Sequence, residues 1–112
     1  MKVSKEAEGK IVELQTMEQN LQNFAMQKQR FQVTLTEVEN AIEELNKAKD
    51  DSYQIIGSIM VKSKKEDLLK KLKEKKDIVD LRIKNIEKQE GKIKEKAEEL
   101  QKEVMKTLED EK

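Results

Sequence analysis

The side chains of this chain that could do chemistry are almost all carboxylates and amines. The 112 residues include 24 Lys and Arg and 24 Asp and Glu, but no His and no Cys. The commonest general base, the thiolate nucleophile and the usual transition-metal ligands are therefore absent. Catalysis by paired carboxylates needs a pocket that separates their pKa values, and water-facing helices offer none. We therefore expect no enzyme activity, no metal site and no cofactor.

A lysine-rich run is the candidate site for binding nucleic acid. Eight lysines lie from Lys62 to Lys76, but Glu66, Asp67 and Glu74 interleave with them. The net charge of the chain is zero, and no aromatic stacking platform accompanies the run. The three glycines stand alone and form no phosphate-binding loop. A solvated helix face explains the lysines better than a nucleic-acid partner does.

The composition argues against an ordinary globular core. Charged residues make up 43% of the chain and apolar residues 35%, with no Pro and no Trp. Such a chain is either disordered or arranged around a narrow helical seam, and periodic apolar residues would indicate the seam. With no Cys, no signal peptide and no apolar run long enough to span a membrane, we expect a cytoplasmic protein without membrane contact.

The first half of the chain carries a heptad seam. Its members recur at alternating steps of three and four residues, and Lys28 is the polar member among them. They are Leu14, Met17, Leu21, Phe24, Lys28, Phe31, Leu35, Val38, Ile42 and Leu45. The pattern predicts a long amphipathic helix over residues 7–48.

A second seam follows in the second half of the chain, interrupted by Lys76 and Glu90. Its members are Leu69, Leu72, Lys76, Val79, Ile83, Ile86, Glu90, Ile93, Ala97, Leu100 and Val104. Ser63 and Glu66 have the spacing of a capping box, in which the serine hydroxyl accepts from a backbone N–H of the first helical turn and the glutamate accepts from the backbone N–H of the serine. The sequence therefore predicts a second helix over residues 64–110.

Between the seams the pattern changes to a β-rich run over residues 53–62. Gly57-Ser58 lies at its middle, and glycine at the first turn position is what a type II′ hairpin turn requires. An isolated two-stranded hairpin is marginally stable, and this one carries more aliphatic side chains than the chain can cover. The hairpin therefore predicts a protein partner.

Folding back at the hairpin makes the helices antiparallel, so the two seams face each other. The predicted fold is an all-α dominated, antiparallel two-helix coiled-coil hairpin with a short β-hairpin at the connection, forming one domain over residues 1–112. In this register Phe31 falls opposite Ile83 and Leu14 opposite Leu100. Lys28 and Glu90 fall about one turn apart, and we expect them to neutralise each other and to set the register.

Some apolar residues near the termini lie off the seams and widen the apolar stripe. They include Ile11, Met26, Met105 and Leu108. Exposed methionines adapt to many shapes, which suits the binding of varied partners. Loose packing of the termini or contact with another copy explains these residues equally well.

Three stretches together resemble the β-class subunits of prefoldin, of the archaeal type. They are Gln27-Lys28-Gln29-Arg30 through Glu43-Glu44-Leu45, the hairpin Tyr53-Gln54-Ile55-Ile56-Gly57-Ser58-Ile59-Met60-Val61-Lys62, and Leu81-Arg82-Ile83-Lys84 through Glu87-Lys88-Gln89-Glu90. A single hairpin favours the β class over the α class. The family's hairpin commonly carries Asn where this chain has Ser58, and its Gln-rich N-terminal stretch is present only in part.

The resemblance implies an ATP-independent chaperone, a holdase, built as a hexamer of two α-class and four β-class subunits. Its hairpins would form a β-barrel platform, and its helix tips would capture unfolded client proteins and deliver them to a group II chaperonin. Carried onto this chain, assembly would use Tyr53, Ile55, Ile56, Gly57, Ile59 and Val61. Client binding would use Ile11, Leu14, Met17, Leu21, Leu100, Val104, Met105 and Leu108. The alternative is a structural coiled-coil scaffold or tether that binds no clients.

Overall fold

The computed structural model describes residues 4–110 and has two long helices joined by a two-stranded antiparallel sheet. The elements are α1 (Lys5–Lys47), β1 (Ser52–Ile56), β2 (Ile59–Ser63) and α2 (Lys65–Asp110). The predicted architecture is confirmed, and the element bounds differ from the predicted ones by no more than two residues. The outermost parts of the predicted domain, residues 1–3 and 111–112, lie outside the described residues. That residues 1–112 form a single domain stays a prediction.

The start of α1 is set by a serine that the seam pattern did not reveal. The Ala7 N–H donates to the Ser4 hydroxyl oxygen at 3.1 Å, and the Glu8 N–H donates to the Ser4 carbonyl at 2.9 Å. Ser4 is therefore the N-cap, and it satisfies an amide that would otherwise lack a partner. Acidic residues in the first turn also favour this helix end. As a result α1 begins two residues before the predicted start.

The predicted capping box of α2 is wrong. Ser63 is the last residue of β2, where it pairs with Ser52, and α2 begins at Lys65. The first helical hydrogen bond of α2 runs from the Leu68 N–H to the Lys64 carbonyl at 3.1 Å. Lys64 thus takes the N-cap position because the β-ladder extends one residue pair further than the sequence pattern predicted.

The chain divides into two compact units, each with one stretch of each helix. The terminal unit comprises Met1–Lys28 and Asn85–Lys112, and the hairpin unit comprises Gln29–Lys84. In each unit a stretch of α1 pairs with a stretch of α2 that runs in the opposite direction, so the pair is antiparallel. This pairing buries the heptad seams.

Every predicted seam residue is buried or half-buried. The buried apolar residues of the terminal unit are Ala7, Ile86, Leu100 and Val104, and those of the hairpin unit are Val38, Leu68, Val79 and Ile83. The seam pattern missed Ala7. The guanidinium of Arg82 lies 5.9 Å from the centre of the Phe31 ring, one residue from the predicted partner Ile83.

Candidate assembly and client-binding surfaces

The turn of the hairpin has the geometry that its sequence predicts. Ile56 pairs with Ile59 across the two-residue loop Gly57-Ser58. Gly57 has a φ of 60°, and Ser58 has no positive φ. This is the type II′ pattern, whose first position only glycine adopts without strain. The turn fixes the register of the ladder, and with it the face on which each side chain lies.

The apolar side chains of the hairpin are exposed. Ile55 is 70% exposed, Ile59 65% and Met60 64%, and the other apolar members are more than 40% exposed. The six residues predicted for assembly therefore all lie at the surface of the hairpin unit: Tyr53, Ile55, Ile56, Gly57, Ile59 and Val61. Met60 belongs with them and was left out of that set. Clustered exposed aliphatic side chains of this kind mark an interaction site.

The ladder divides these side chains between two faces of the sheet. Cross-strand partners share a face, and successive residues alternate. Ile55 pairs with Met60 and Tyr53 with Lys62, so these four define the Tyr53 face. The opposite face, called the Ile56 face, carries Ile56, Ile59, Val61 and Gln54. Both faces are apolar, and within residues 4–110 neither strand has a further partner at its outer edge.

Lysines of α2 bond to the C-terminal end of α1 and to the hairpin. The Lys65 ammonium donates to the carbonyls of Asn46 and Ala48 at 3.3 and 3.2 Å, which satisfies acceptors at the end of α1. Lys71 donates to the side-chain oxygen of Gln54 at 3.4 Å. These bonds explain part of the lysine-rich run as structural, since its members hold the connection between the helices.

An apolar cleft of about 550 Å³ lies between the hairpin and the helices of the hairpin unit. Its apolar lining residues are Ala41, Leu45, Tyr53, Ile55, Leu68 and Leu72. Glu44, Lys71 and Lys75 also line it. Gln54, which lies on the Ile56 face, lines it as well, so the cleft lies between β1 of the hairpin and the apolar seam of the helices.

The predicted client-binding residues lie in the terminal unit, and most of them are shielded by the helix pair. Leu100 and Val104 are 9% and 6% exposed. The half-buried members are Ile11, Leu14, Met17, Leu21 and Leu108. Met105 stands apart, because 58% of it is exposed. In the paired state Met105 is therefore the member most available to a client.

Other exposed apolar residues accompany Met105 in the terminal unit. Val12 is 59% exposed and Met26 55%. Met26 was named from the sequence as an off-seam residue, whereas Val12 was missed. Both lie on α1 two heptads apart, a spacing that places them on the same side of the helix. The surface of this unit thus offers separate apolar contacts instead of one continuous patch.

One ion pair joins Lys28, the charged member of the first seam, to Glu90, one of the two charged members of the second seam. The Lys28 ammonium lies 2.9 Å from a carboxylate oxygen of Glu90. The Glu90 side chain is 10% exposed and the Lys28 side chain 28%. This hydrogen bond to Glu90 raises the pKa of Lys28 above its ordinary value. The predicted contact is confirmed, while its role in setting the register stays a prediction.

Across residues 4–110, no group of three or more acidic side chains is placed to hold a metal ion. In the same range no helix combines the length and the hydropathy that crossing a bilayer requires.

Comparison with known proteins identifies the family. Residues 8–111 match the prefoldin subunit family. The prefoldin subunit beta of Archaeoglobus fulgidus is 38% identical over 100 residues, which cover 88% of this chain and 86% of the relative. The same subunit of Pyrococcus furiosus is 38% identical over 98 residues, covering 86% of this chain and 84% of the relative.

A solved structure indicates the same family. The crystal structure of the prefoldin beta subunit from Thermococcus strain KS-1 superposes with a TM-score of 0.89. The two sequences are 29% identical, and the match covers 96% of each chain. A helix pair alone would be a common arrangement, but here the pair, the hairpin and the sequence agree over nearly the whole length. The chain therefore belongs to the prefoldin family, among its β subunits.

Proposed function

We propose that this chain is a subunit of an ATP-independent holding chaperone that captures unfolded proteins and delivers them to a group II chaperonin. Prefoldins are chaperone subunits and are not typically enzymes. Membership of the family implies assembly with other prefoldin subunits. The finer composition, two α-class and four β-class subunits in the cytoplasm, is part of this proposal.

The observation that carries the proposal is the exposed hairpin. Its aliphatic side chains cover both faces, and its outer edges have no strand partner in the described part of the chain. Closing such strands into a shared barrel removes the edges and covers one face. A tether made of two helices has no use for these exposed strands, so the hairpin favours the chaperone over the scaffold alternative.

Client capture is proposed at the apolar residues of the terminal unit. Met105 is open to solvent, whereas Leu100 and Val104 become available only where the helix pair opens. Helix ends open at a lower free energy than the rest of a fold. Several weak contacts carried by linked subunits give useful avidity without a strong individual site. No nucleotide is needed for such holding.

The experiment that tests this function uses the complex reconstituted with an α-class subunit. Native mass spectrometry measures its assembly, and light scattering measures how well it suppresses aggregation of a chemically unfolded protein. A variant lacking residues 1–20 and 97–112 should assemble normally and lose this suppression. The full-length complex is the control, and addition of a group II chaperonin with ATP should release refolded client from it.

Three outcomes would contradict the proposal in different ways. Failure of the full-length chain to assemble would contradict the proposed chaperone function as a whole. An assembled complex without suppression would support the scaffold alternative. Full suppression by the trimmed variant would show that clients bind elsewhere than at the residues of the terminal unit.

A further inference from the structure

Two cavities adjoin each other in the hairpin unit. The first is the apolar cleft described above, and the second, also of about 550 Å³, lies between the hairpin and the first turns of α2. Gln54, Leu68 and Lys71 line both cavities. The hydrogen bond from Lys71 to Gln54 therefore lies where the two cavities meet. Together they form one groove with two chemically different halves, the apolar cleft and a half that we call the lysine cavity.

The lysine cavity carries an excess of positive charge. Its carboxylates are those of Asp67 and Glu74. Its lysines are twice as many, namely Lys62, Lys64, Lys70 and Lys71. Charges of one sign that line a concave site raise the local concentration of ions of the opposite sign. This half of the groove therefore favours an anionic group.

Two of these lysines have no partner in the part of the chain that the structure describes. Lys62 forms an ion pair at 3.2 Å, and Lys71 donates to Gln54. The side chains of Lys64 and Lys70 are exposed, and within residues 4–110 they make no hydrogen bond and no ion pair. Their ammonium groups are thus available to an anion from outside the chain.

The hydrogen bond between Lys71 and Gln54 is itself exchangeable. At 3.4 Å it is longer than a typical N–H···O bond, and its acceptor is a neutral amide. A carboxylate in the groove would accept from Lys71 in a charge-assisted bond, which is shorter and stronger. An occupant that carries a carboxylate can therefore take over this lysine as well.

The two halves together select the class of the occupant. The apolar cleft requires an apolar side chain, because Ala41, Leu45 and Leu72 line it, whereas the lysine cavity requires negative charge. Nucleic acids and polyphosphates supply only the charge, and Asp67 and Glu74 repel such evenly charged chains. A peptide can place acidic side chains beside the lysines and its own N–H groups beside the carboxylates. The groove therefore suits a peptide better than a uniform polyanion.

We propose that the groove binds a peptide segment of a partner protein in which a bulky apolar residue is followed by acidic residues. The apolar side chain fills the cleft, and the acidic side chains bind Lys64, Lys70 and Lys71. This contact is distinct from the proposed client site, which lies in the terminal unit.

The groove is also distinct from most of the hairpin surface that is proposed for assembly. The apolar hairpin residues that line neither cavity are Ile56, Ile59, Met60 and Val61. These residues can be covered by other subunits while the groove stays open. The inference therefore does not rest on the proposed function.

A peptide of defined sequence tests the inference. Fluorescence anisotropy measures binding of labelled Leu-Glu-Glu-Leu-Glu-Glu to the full chain, both alone and in the complex reconstituted with an α-class subunit. Binding should be saturable in both cases and should weaken as salt is added. The control peptide Gly-Glu-Glu-Gly-Glu-Glu has the same charge and should bind about tenfold more weakly, because it buries no leucine. Inorganic polyphosphate should compete poorly with the leucine peptide.

Charge reversal tests the lysine cavity. The double variant Lys64→Glu, Lys70→Glu should raise the Kd of the leucine peptide by about tenfold or more, because attraction becomes repulsion. The matched control is Lys88→Glu, Lys94→Glu, which makes the same change at the same spacing on exposed lysines of the terminal unit. This control should leave the Kd unchanged.

Filling the cleft tests the apolar half. Ala41→Trp should occupy the cleft and raise the Kd of the leucine peptide by about tenfold. Ala25→Trp places the same side chain at an exposed position of α1 in the terminal unit and should leave the Kd unchanged. Circular dichroism of each variant checks that the helices are intact.

Four results would each overturn the inference. They are the absence of saturable binding, equal binding of the two peptides, equal effects of a groove variant and its control, and efficient competition by polyphosphate, which would indicate a general polyanion site. Binding to the isolated chain but not to the complex would also overturn it, since the groove would then be covered by subunits. Assembly and client holding are measured separately, by native mass spectrometry and light scattering, so the proposed function can stand when the inference fails.

Discussion

The hairpin unit and the terminal unit use their apolar residues in opposite ways. In the hairpin, aliphatic side chains such as Ile55 and Ile59 are mostly exposed, whereas in the terminal unit Leu100 and Val104 are buried by the helix pair. Covering exposed aliphatic surface stabilises an assembly in proportion to its area. Isolated side chains such as Met105 support only weak contacts. The comparison supports the proposal that the hairpin forms a strong, permanent interface and the terminal unit a weak, reversible one.

The largest effect is expected from a charge placed on the exposed hairpin. Ile55→Asp places a carboxylate in the proposed interface and should abolish assembly, because burying an unpaired charge costs several kcal/mol. Ile78→Asp is the matched control, since Ile78 is also exposed and lies in the same unit, on α2. Native mass spectrometry should show separated subunits for the first variant and the full complex for the second. Assembly of the Ile55→Asp chain would mean that the hairpin is not the interface.

Two neighbouring residues of α2, one buried and one exposed, test the terminal unit. Val104→Ala removes buried surface from the seam and should lower the free energy of unfolding by about 2 kcal/mol. Met105→Ala, one residue away but exposed, should change that free energy by less than about 0.5 kcal/mol. Chemical denaturation followed by circular dichroism measures both.

The same two variants distinguish an effect on the stability of the fold from an effect on client binding. Met105→Ala should weaken suppression of client aggregation although the fold keeps its stability. If Met105→Ala destabilises the helix pair as much as Val104→Ala, then Met105 belongs to the seam, and its assignment as an open contact is wrong.

Two glycines should respond to alanine with opposite signs. Gly57→Ala places a side chain at a φ of 60° and should destabilise the hairpin by about 1 kcal/mol, despite free space around its Cβ. Gly91→Ala lies within α2, where a Cβ also meets nothing within 4 Å, and should stabilise the helix by up to about 1 kcal/mol. Thermal unfolding of the complex compares the two variants. A stabilising effect of Gly57→Ala would exclude the type II′ turn.

The smallest effect concerns the ion pair of the terminal unit. Because the hydrogen bond to Glu90 raises the pKa of Lys28, the stability it contributes is complete below the ordinary lysine value of about 10.4. It is then lost as the pH rises through the higher pKa of the folded state. The stability difference between the wild type and Lys28→Met should therefore be constant from pH 7 to 9 and narrow above pH 10. A difference that grows at alkaline pH would contradict this linkage.

Register is a separate property of the same pair. Replacing both Lys28 and Glu90 by Leu removes the buried charges, and such replacements are often neutral or stabilising. The expected change is in specificity: the helices should populate more than one register, visible as multiple signals in NMR spectra. A single set of signals for the double variant would show that the apolar layers suffice.

Much of this molecule follows from its residue pattern. Alternating steps of three and four predicted both helices, and every seam residue is shielded as expected. Gly57-Ser58 predicted the turn, because a two-residue loop with glycine first has few conformations available. Helix ends were less predictable. Ser4 and Ser63 are both capping residues by type, and Ser63 was instead taken up by the β-ladder.

What the sequence determined by itself is the direction in which side chains point, since heptad spacing fixes the angle around a helix and alternation fixes the face of a strand. The tertiary structure alone decided how deeply each residue is buried. Val38 and Leu35 are both seam residues, yet Val38 is buried and Leu35 only half-buried, and Ala41 lines a cleft with Tyr53, because burial depends on which side chains the partner segment brings opposite. Periodicity in one segment carries no information about that partner.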